Sequence, residues 1–291
     1  MLKNKDSKMP HLCGLMQKCF HEAELALTNV IREKYHALNE EMITHLFWCE
    51  LKVAVTARNN GAWSDALVLD LADLFQNTVL VHKDNSKLQE RLGGLFCEIQ
   101  LHNHNREGAT GGDFGIFTSL PVIEPDNYGP SDECRIPIRD RALLVQAKLR
   151  QKNGALGELS ENQEKLLPEG EKYSAFVFYD YDDAGKKVMV PFRWQSCKGA
   201  TLEDMKGWLK NADPPRPLNS FEMISSIYEG QLGTEVPKPI KEKITNSVDV
   251  RPQFEIIFKW LNPPSEPDGL RIRLSELITL PEVIQVKVSQ V

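Results

Sequence analysis

Polar side chains that can bind a cation or a phosphate stand inside two short apolar segments of this chain. Asp113 belongs to the segment Gly-Gly-Asp-Phe-Gly-Ile at 111–116, and Gln146 and Lys148 belong to Leu-Leu-Val-Gln-Ala-Lys-Leu at 143–149. Both segments have the composition of buried strands, where an unpaired charge is costly. Because residues two apart on a strand point to the same face, Gln146 and Lys148 are predicted to share one site with Asp113.

This set of groups suits a magnesium ion and the hydrolysis of a phosphodiester. Mg²⁺ prefers carboxylate and carbonyl oxygens, and a bound cation polarises the phosphoryl oxygen and activates water. We expect Asp113 to be the indispensable metal ligand and Gln146 to offer its carbonyl oxygen. Lys148 would orient the nucleophile or neutralise the scissile phosphate. The alternatives are a glycine-rich turn around Asp113 and a solvated strand end that carries Gln146 and Lys148.

A second acidic residue would complete such a site, and the sequence offers two. Glu41 lies in the first turn of a helix that Asn39 can cap. Glu98, which we rank below Glu41, lies on the strand before Asp113. A hairpin closing around residues 102–111 could bring Glu98 to the face of Asp113, but a slip of one residue would separate them. The predicted catalytic residues are Asp113, Gln146, Lys148 and Glu41, and the predicted metal ligands are Asp113, Gln146, Glu41 and Glu98.

Hydrophobic periodicity predicts the elements that must position these residues. Apolar residues recur at helical spacing in the first third of the chain, and the period then changes to that of strands. The order from residue 39 to 179 is helix, three strands, helix, strand, which predicts an α/β layer with a mixed sheet. The predicted helices lie near 12–35, 39–53, 66–75, 86–92 and 159–167, and the strands near 95–101, 112–120, 142–149 and 174–179.

The remaining segments are less regular. Residues 121–140 are rich in proline and charge and are predicted to be a long insertion. Beyond residue 200 the pattern predicts two helices near 202–209 and 221–228 and a strand near 254–260. We therefore divide the chain into residues 1–200, which carry the core and the N-terminal helices, and residues 201–291, an appended C-terminal α+β accessory region.

The motifs, taken in order, resemble those of a known superfamily. Glu41 on a helix, Gly-Gly-Asp113-Phe-Gly-Ile on a strand and Val-Gln146-Ala-Lys148 on a later strand resemble the restriction-endonuclease-like PD-(D/E)xK nucleases. Within that superfamily they are similar to the Mrr-like branch, where glutamine replaces the second acidic residue, and to small prokaryotic nucleases of defence islands. Two departures are the long gap between Asp113 and Gln146, which the insertion explains, and the absence of a proline before Asp113.

The resemblance implies a restriction-endonuclease-like core and a metal-dependent endonuclease. The implied cofactor is Mg²⁺, or Mn²⁺ in its place, and the implied substrate is nucleic acid, above all double-stranded DNA, in defence against foreign nucleic acid. A homodimer or a partner protein of a defence system fits the same resemblance. The rival prediction is a catalytically inactive subunit that keeps the fold and binds nucleic acid or supports assembly.

Charge and composition constrain these expectations. The net charge of −6 is not typical of a nucleic-acid-binding protein, so binding must depend on a local basic patch. Basic residues gather near the proposed site, and the predicted phosphate contacts are Arg139, Arg141, Arg150 and Lys152. A solvated face neutralised by neighbouring acids is the alternative. The acidic cluster of Asp180, Asp182 and Asp183 favours a turn after a strand.

The cysteine pattern and the apolar runs predict the compartment. Six scattered cysteines without a C-x-x-C pair indicate reduced thiols and a cytoplasmic protein rather than a zinc site. The N-terminus lacks the features of a signal peptide, and no apolar run reaches the length of a membrane span. We expect no membrane association.

Overall fold

The computed structural model of the chain describes most of the first 232 residues and three later strands. The described ranges are 10–34, 38–58, 61–74, 78–82, 94–101, 112–121, 133–136, 138–151, 154–169, 174–181, 188, 191–211, 213–232, 254–261, 270–273 and 283–287. The predicted helix near 86–92 lies outside these ranges.

Helices and strands follow one another in a mixed order. The helices are α1 (His11–Lys34), α2 (Glu40–Thr56), α3 (Ala62–Leu74), α4 (Glu161–Glu169), α5 (Leu202–Asn211) and α6 (Ser220–Tyr228). The strands are β1 (Thr78–His82), β2 (Gly94–Leu101), β3 (Phe114–Pro121), β4 (Glu133–Ile136), β5 (Ile138–Leu149), β6 (Ser174–Tyr179), β7 (Arg193–Ser196), β8 (Phe254–Leu261), β9 (Leu270–Arg273) and β10 (Val283–Lys287). The chain therefore has a mixed α/β fold, and this class was predicted correctly.

A six-stranded mixed sheet forms the centre, in the order β2-β8-β3-β5-β6-β7. Strand β5 is antiparallel to β3 and parallel to β6, and β8 is parallel to β3 but antiparallel to β2. Two further strand pairs, β1 with β10 and β4 with β9, are antiparallel. The order α2, β2, β3, β5, α4, β6 agrees with the predicted order, and β1 and β4 are strands that were not predicted.

Two details of the sheet differ from the prediction. Strand β8 lies between β2 and β3, so these two strands do not form the hairpin that could have brought Glu98 to the face of Asp113. The segment 121–140 is not wholly an insertion, because it contains β4 and the first residues of β5. The division at residue 200 stays a prediction, although β8, from beyond that position, completes the same sheet as β3 and β5.

Alternation along β5 sends side chains to two different layers. Val145 and Ala147 pack into the larger core with α1, α2 and α6, and we call this side the α1 face. Phe176 and Phe178 of β6 pack on the other side, against α4 and α5, which we call the α4 face. Since β5 and β6 are in parallel register, Gln146 and Lys148 lie opposite these two phenylalanines and share the α4 face.

A buried carboxyl group joins the elements of the α1 face. Glu24 of α1 is 2% exposed. Its Oε1 accepts hydrogen bonds from the Ser220 hydroxyl of α6 and, at 3.3 Å, from the Phe192 N–H beside β7. Burial raises the pKa of Glu24 to about 7 despite these two bonds. The group is therefore a point where proton uptake and folding stability are linked.

Candidate functional site

Strand β5 extends past the end of its neighbour β3, and this overhang creates the candidate site. The last paired residues are Phe114 and Val145. The Val145 carbonyl accepts from the Asp113 N–H at 2.9 Å, so Val145 points its backbone groups toward β3. Every second residue of a strand points its backbone N–H and C=O to the same neighbour. The N–H groups of Ala147 and Leu149 therefore also point toward the β3 side, but they lie beyond the end of β3.

Each of these two N–H groups donates to a carboxylate instead of a strand. Asp113 Oδ2 accepts from Ala147 N at 2.7 Å, and Glu40 Oε2 accepts from Leu149 N at 2.7 Å. The two donors are one strand repeat apart, about 6.6 Å. The need to pair buried backbone N–H groups thus brings two acids from distant parts of the chain to one edge.

Gln146 connects to Asp113 through its amide nitrogen. Its side chain is 1% exposed. Nε2 donates to Asp113 Oδ2 and, at 3.2 Å, to the Ala147 carbonyl. Oε1 accepts from Gln163 Nε2 of α4 at 2.7 Å. The predicted proximity of Asp113 and Gln146 is confirmed, but the carbonyl oxygen faces Gln163 and not Asp113.

The start of α4 explains this orientation. Ser160 and Gln163 form a capping box, in which Gln163 N donates to Ser160 Oγ at 3.3 Å and Ser160 N donates to Gln163 Oε1 at 3.0 Å. A backbone N–H can only donate, so the oxygen of Gln163 must face Ser160 and its nitrogen must face Gln146. The carbonyl of Gln146 then faces Gln163, and its nitrogen faces Asp113. One backbone N–H thus sets both amide orientations.

A buried tyrosine lies close to both acids. The Tyr179 hydroxyl of β6 is 2.7 Å from the Thr44 hydroxyl of α2, and Thr44 donates to the Glu40 carbonyl at 2.9 Å. Burial raises the pKa of Tyr179 well above its usual range. The hydrogen bond between the tyrosine and Thr44 lowers that pKa, and the charges of Glu40 and Asp113 raise it. The pKa of this one buried hydroxyl therefore depends on the charge of both carboxylates.

The other predicted site residues fall in different places. Lys148 is partly exposed and shares the α4 face with Gln146. Glu41 is exposed, and its neighbour Glu40 is the acid that reaches β5. Glu98 pairs with Ile257 and is two strands away from β3. By strand geometry it lies about 16 Å from Asp113, so the structure does not bring Glu98 to the site.

The predicted basic strip does not form one surface. Arg139 and Arg141 occupy the α1 face near the opposite end of β5, and Arg141 is about 17 Å along the strand from Gln146. Arg141 is 6% exposed, and its guanidinium lies so close to Gly230 (φ +78°) that a side chain would not fit there. Arg150 lies at the site end of β5. Lys152 lies outside the described residues.

Arg150 belongs to a cluster that the sequence did not reveal. Asp180, which follows β6, is 5% exposed. It accepts from Arg150 Nε at 3.0 Å and also from Arg193 Nε. The sequence interpretation of this acidic cluster missed the buried ion pairs of Asp180, and Asp182 and Asp183 lie outside the described residues.

Gln163, Glu40 and Arg193 were not among the predicted site residues, although the sequence carried a usable signal for the first two. The Ser-Glu-Asn-Gln sequence at 160–163 has the spacing of a capping box. Glu40 directly follows the cap residue Asn39, whose side chain accepts from Met42 N at 2.8 Å. Arg193 had no signal, because its position depends on how β7 joins the sheet.

Comparisons with known proteins assign no family to the chain. No family model, no curated protein and no solved structure matches the chain. Within the part of the chain that the structure describes, no group of three or more His, Cys, Asp or Glu residues is placed to hold a metal ion. Among the helices so described, none has the length and apolarity needed to cross a membrane.

Proposed function

We propose that the chain is a Mg²⁺-dependent nuclease with a restriction-endonuclease-like core, and that DNA is its main substrate. The observation that carries the proposal is the meeting of Asp113 and Gln146 at the overhang of β5, with Glu40 on the next N–H. Motif order and strand position support the resemblance to the PD-(D/E)xK superfamily, in which Glu40 takes the place first given to Glu41.

The donor set fits magnesium. Mg²⁺ in enzymes keeps several waters and takes one or two carboxylates together with substrate phosphate oxygens, and Asp113 and Glu40 are two carboxylates at one edge. When bound, the ion would stabilise charge on the phosphoryl oxygen and favour ionisation of water. Mn²⁺ fits the same oxygen donors.

The chain's own residues have separate tasks in this proposal. Asp113 and Glu40 would hold the cation, and the N–H groups of Ala147 and Leu149 keep both carboxylates oriented. Gln146 positions Asp113 through its amide nitrogen. Lys148, on the same face, attracts the scissile phosphate and stabilises the charge that develops during cleavage.

One observation favours the rival, a catalytically inactive nucleic-acid-binding or assembly subunit. The carbonyl oxygen of Gln146, expected to be a ligand, accepts from Gln163, so the metal would have two protein carboxylates and no amide oxygen. Cleavage separates the two functions, because the rival binds nucleic acid without cutting it.

The test is a cleavage assay on purified protein. Supercoiled plasmid, linear duplex, single-stranded DNA and RNA should each be incubated with Mg²⁺, Mn²⁺ or EDTA. We expect duplex DNA to be cut with either metal and not with EDTA, and Lys148→Gln to slow cleavage while Lys198→Gln, at an exposed control position, does not. Nucleic acid that is bound but stays intact under every condition would favour the rival.

A further inference from the structure

We propose that Arg150 and Arg193, joined through Asp180, bind a phosphate that flanks the scissile one on the same nucleic-acid strand. This inference depends on the proposed function, because it assigns part of the substrate path to the same edge of the sheet. Arg193 would then be a binding residue that the sequence motifs did not indicate.

The cluster is built around a buried carboxylate. Asp180 is 5% exposed, and each of its oxygens accepts from the Nε of a different arginine. Arg193 also lies over the Phe178 ring, with its guanidinium carbon 5.7 Å from the ring centroid. Because Asp180 orders both arginines and the Phe178 ring also contacts Arg193, part of the entropy cost of ordering these side chains is met before a ligand arrives.

Charge and exposure favour an anionic ligand. The side chains of Arg150 and Arg193 keep 31% and 28% of their surface exposed. Lys148, two residues before Arg150, is partly exposed as well, so this side of the sheet presents three cationic side chains in a protein of net charge −6. A planar guanidinium matches phosphate oxygens in two-pronged hydrogen bonds, and is preferred to lysine where such recognition is needed.

The position of the cluster fits a neighbouring phosphate. Arg150 follows Lys148 by two residues, and Lys148 and Arg193 both pair with Phe178 in the sheet. Strand β7 is two strands from β5, a span of about 10 Å. Phosphates of one duplex strand recur about every 3.4 Å along the helix axis, so one strand reaches from Lys148 to Arg193 within a few nucleotides.

The experiment measures binding without cleavage. A fluorescently labelled 20-base-pair duplex should be titrated in EDTA at several salt concentrations with the wild type, Arg150→Gln and Arg193→Gln. Each single variant leaves Asp180 one arginine and keeps the buried carboxylate paired. The control, Lys198→Gln, removes the same charge from an exposed position.

We expect each arginine variant to weaken binding several-fold and to reduce the slope of log K against log salt by about 0.9, as for one lost phosphate contact. The control should keep the wild-type slope. Thermal unfolding of each variant checks that the fold is intact. If Arg193→Gln unfolds early, Arg193→Lys replaces it. This variant should keep most of the slope because the positive charge stays, and it should weaken binding because lysine cannot make the two-pronged contact.

The outcomes separate this inference from the proposed function. Arginine variants that bind like the wild type at every salt concentration overturn the subsite, even if the wild type cleaves DNA. A wild type that binds no duplex overturns it as well. Displacement of the duplex by inorganic phosphate at an equal phosphate concentration would assign the cluster to a free anion and overturn it. Weakened binding by the variants in a protein that never cleaves supports a nucleic-acid phosphate site at the two arginines and refutes the nuclease, and with it the position beside a scissile phosphate.

Discussion

Replacing Gln163 by methionine should lower the free energy of unfolding by about 2–4 kcal/mol. Methionine keeps the volume of the side chain but neither donates to Gln146 nor accepts from Ser160. The buried carbonyl of Gln146 loses the Gln163 Nε2 donor at 2.7 Å, which costs about 1–3 kcal/mol. The Ser160 N–H loses its acceptor at the start of α4, which adds about 1 kcal/mol by the usual cost of a cap.

Urea denaturation measures this change, with Ser160→Ala as the matched control. That control removes only the bond from Gln163 N to Ser160 Oγ and leaves the contact with Gln146, so it should cost about 1 kcal/mol. The dependence of the unfolding free energy on urea should be the same in all three proteins, as expected when only stability changes. A Gln163→Met protein no less stable than Ser160→Ala would refute the hydrogen-bond series from Ser160 to Gln146.

Three further predictions concern other groups of the fold and site. Glu24→Gln should remove a pH dependence of the free energy of unfolding. The pKa of Glu24 rises from 4.5 to about 7 on folding. The carboxyl group therefore stabilises the fold fully below pH 4.5 and loses this contribution, about 3 kcal/mol, as the pH rises through 7. Chemical denaturation at pH 5 and pH 8 checks this, and an equal pH dependence in both proteins would contradict it. Thr44→Val leaves the buried Tyr179 hydroxyl without its partner and should destabilise the fold by about 1–3 kcal/mol, measured by thermal unfolding; an unchanged midpoint would argue against the pair. Glu40→Gln should slow Mg²⁺-dependent cleavage at least about 10-fold while Glu41→Gln does not, and the reverse ranking in a cleavage assay would restore Glu41 as the second acid.

The elements near the site were predictable because local signals fixed them. The strand β6 was expected at 174–179 and found there, since a continuous apolar run bounded by polar residues leaves little choice. Asn39 was expected to cap α2, and it does. Asp113 and Gln146 were expected to meet because each stands at the end of a buried strand, and their contact follows from the antiparallel pairing of β3 and β5.

What the sequence did not predict depends on long-range pairing. Nothing local indicates that β8 inserts between β2 and β3, and that insertion is what separates Glu98 from Asp113. The choice of Glu40 over Glu41 depends on where α2 packs against β5, because consecutive helical residues differ by about 100° in direction. Arg139 and Arg141 were grouped with Arg150 by sequence proximity, but a 12-residue strand carries its two ends far apart and its alternate residues to opposite faces.

The most direct test of the central claim is the rate of Mg²⁺-dependent cleavage by Asp113→Asn. Asparagine can place its carbonyl oxygen where Asp113 Oδ2 now accepts from Ala147 N and Gln146 Nε2, so the fold should persist and only the charge is lost. We predict that cleavage of duplex DNA falls at least about 100-fold, with thermal stability within about 1 kcal/mol of the wild type. Cleavage at a rate near that of the wild type would contradict the assignment of Asp113 to a metal-dependent nuclease site.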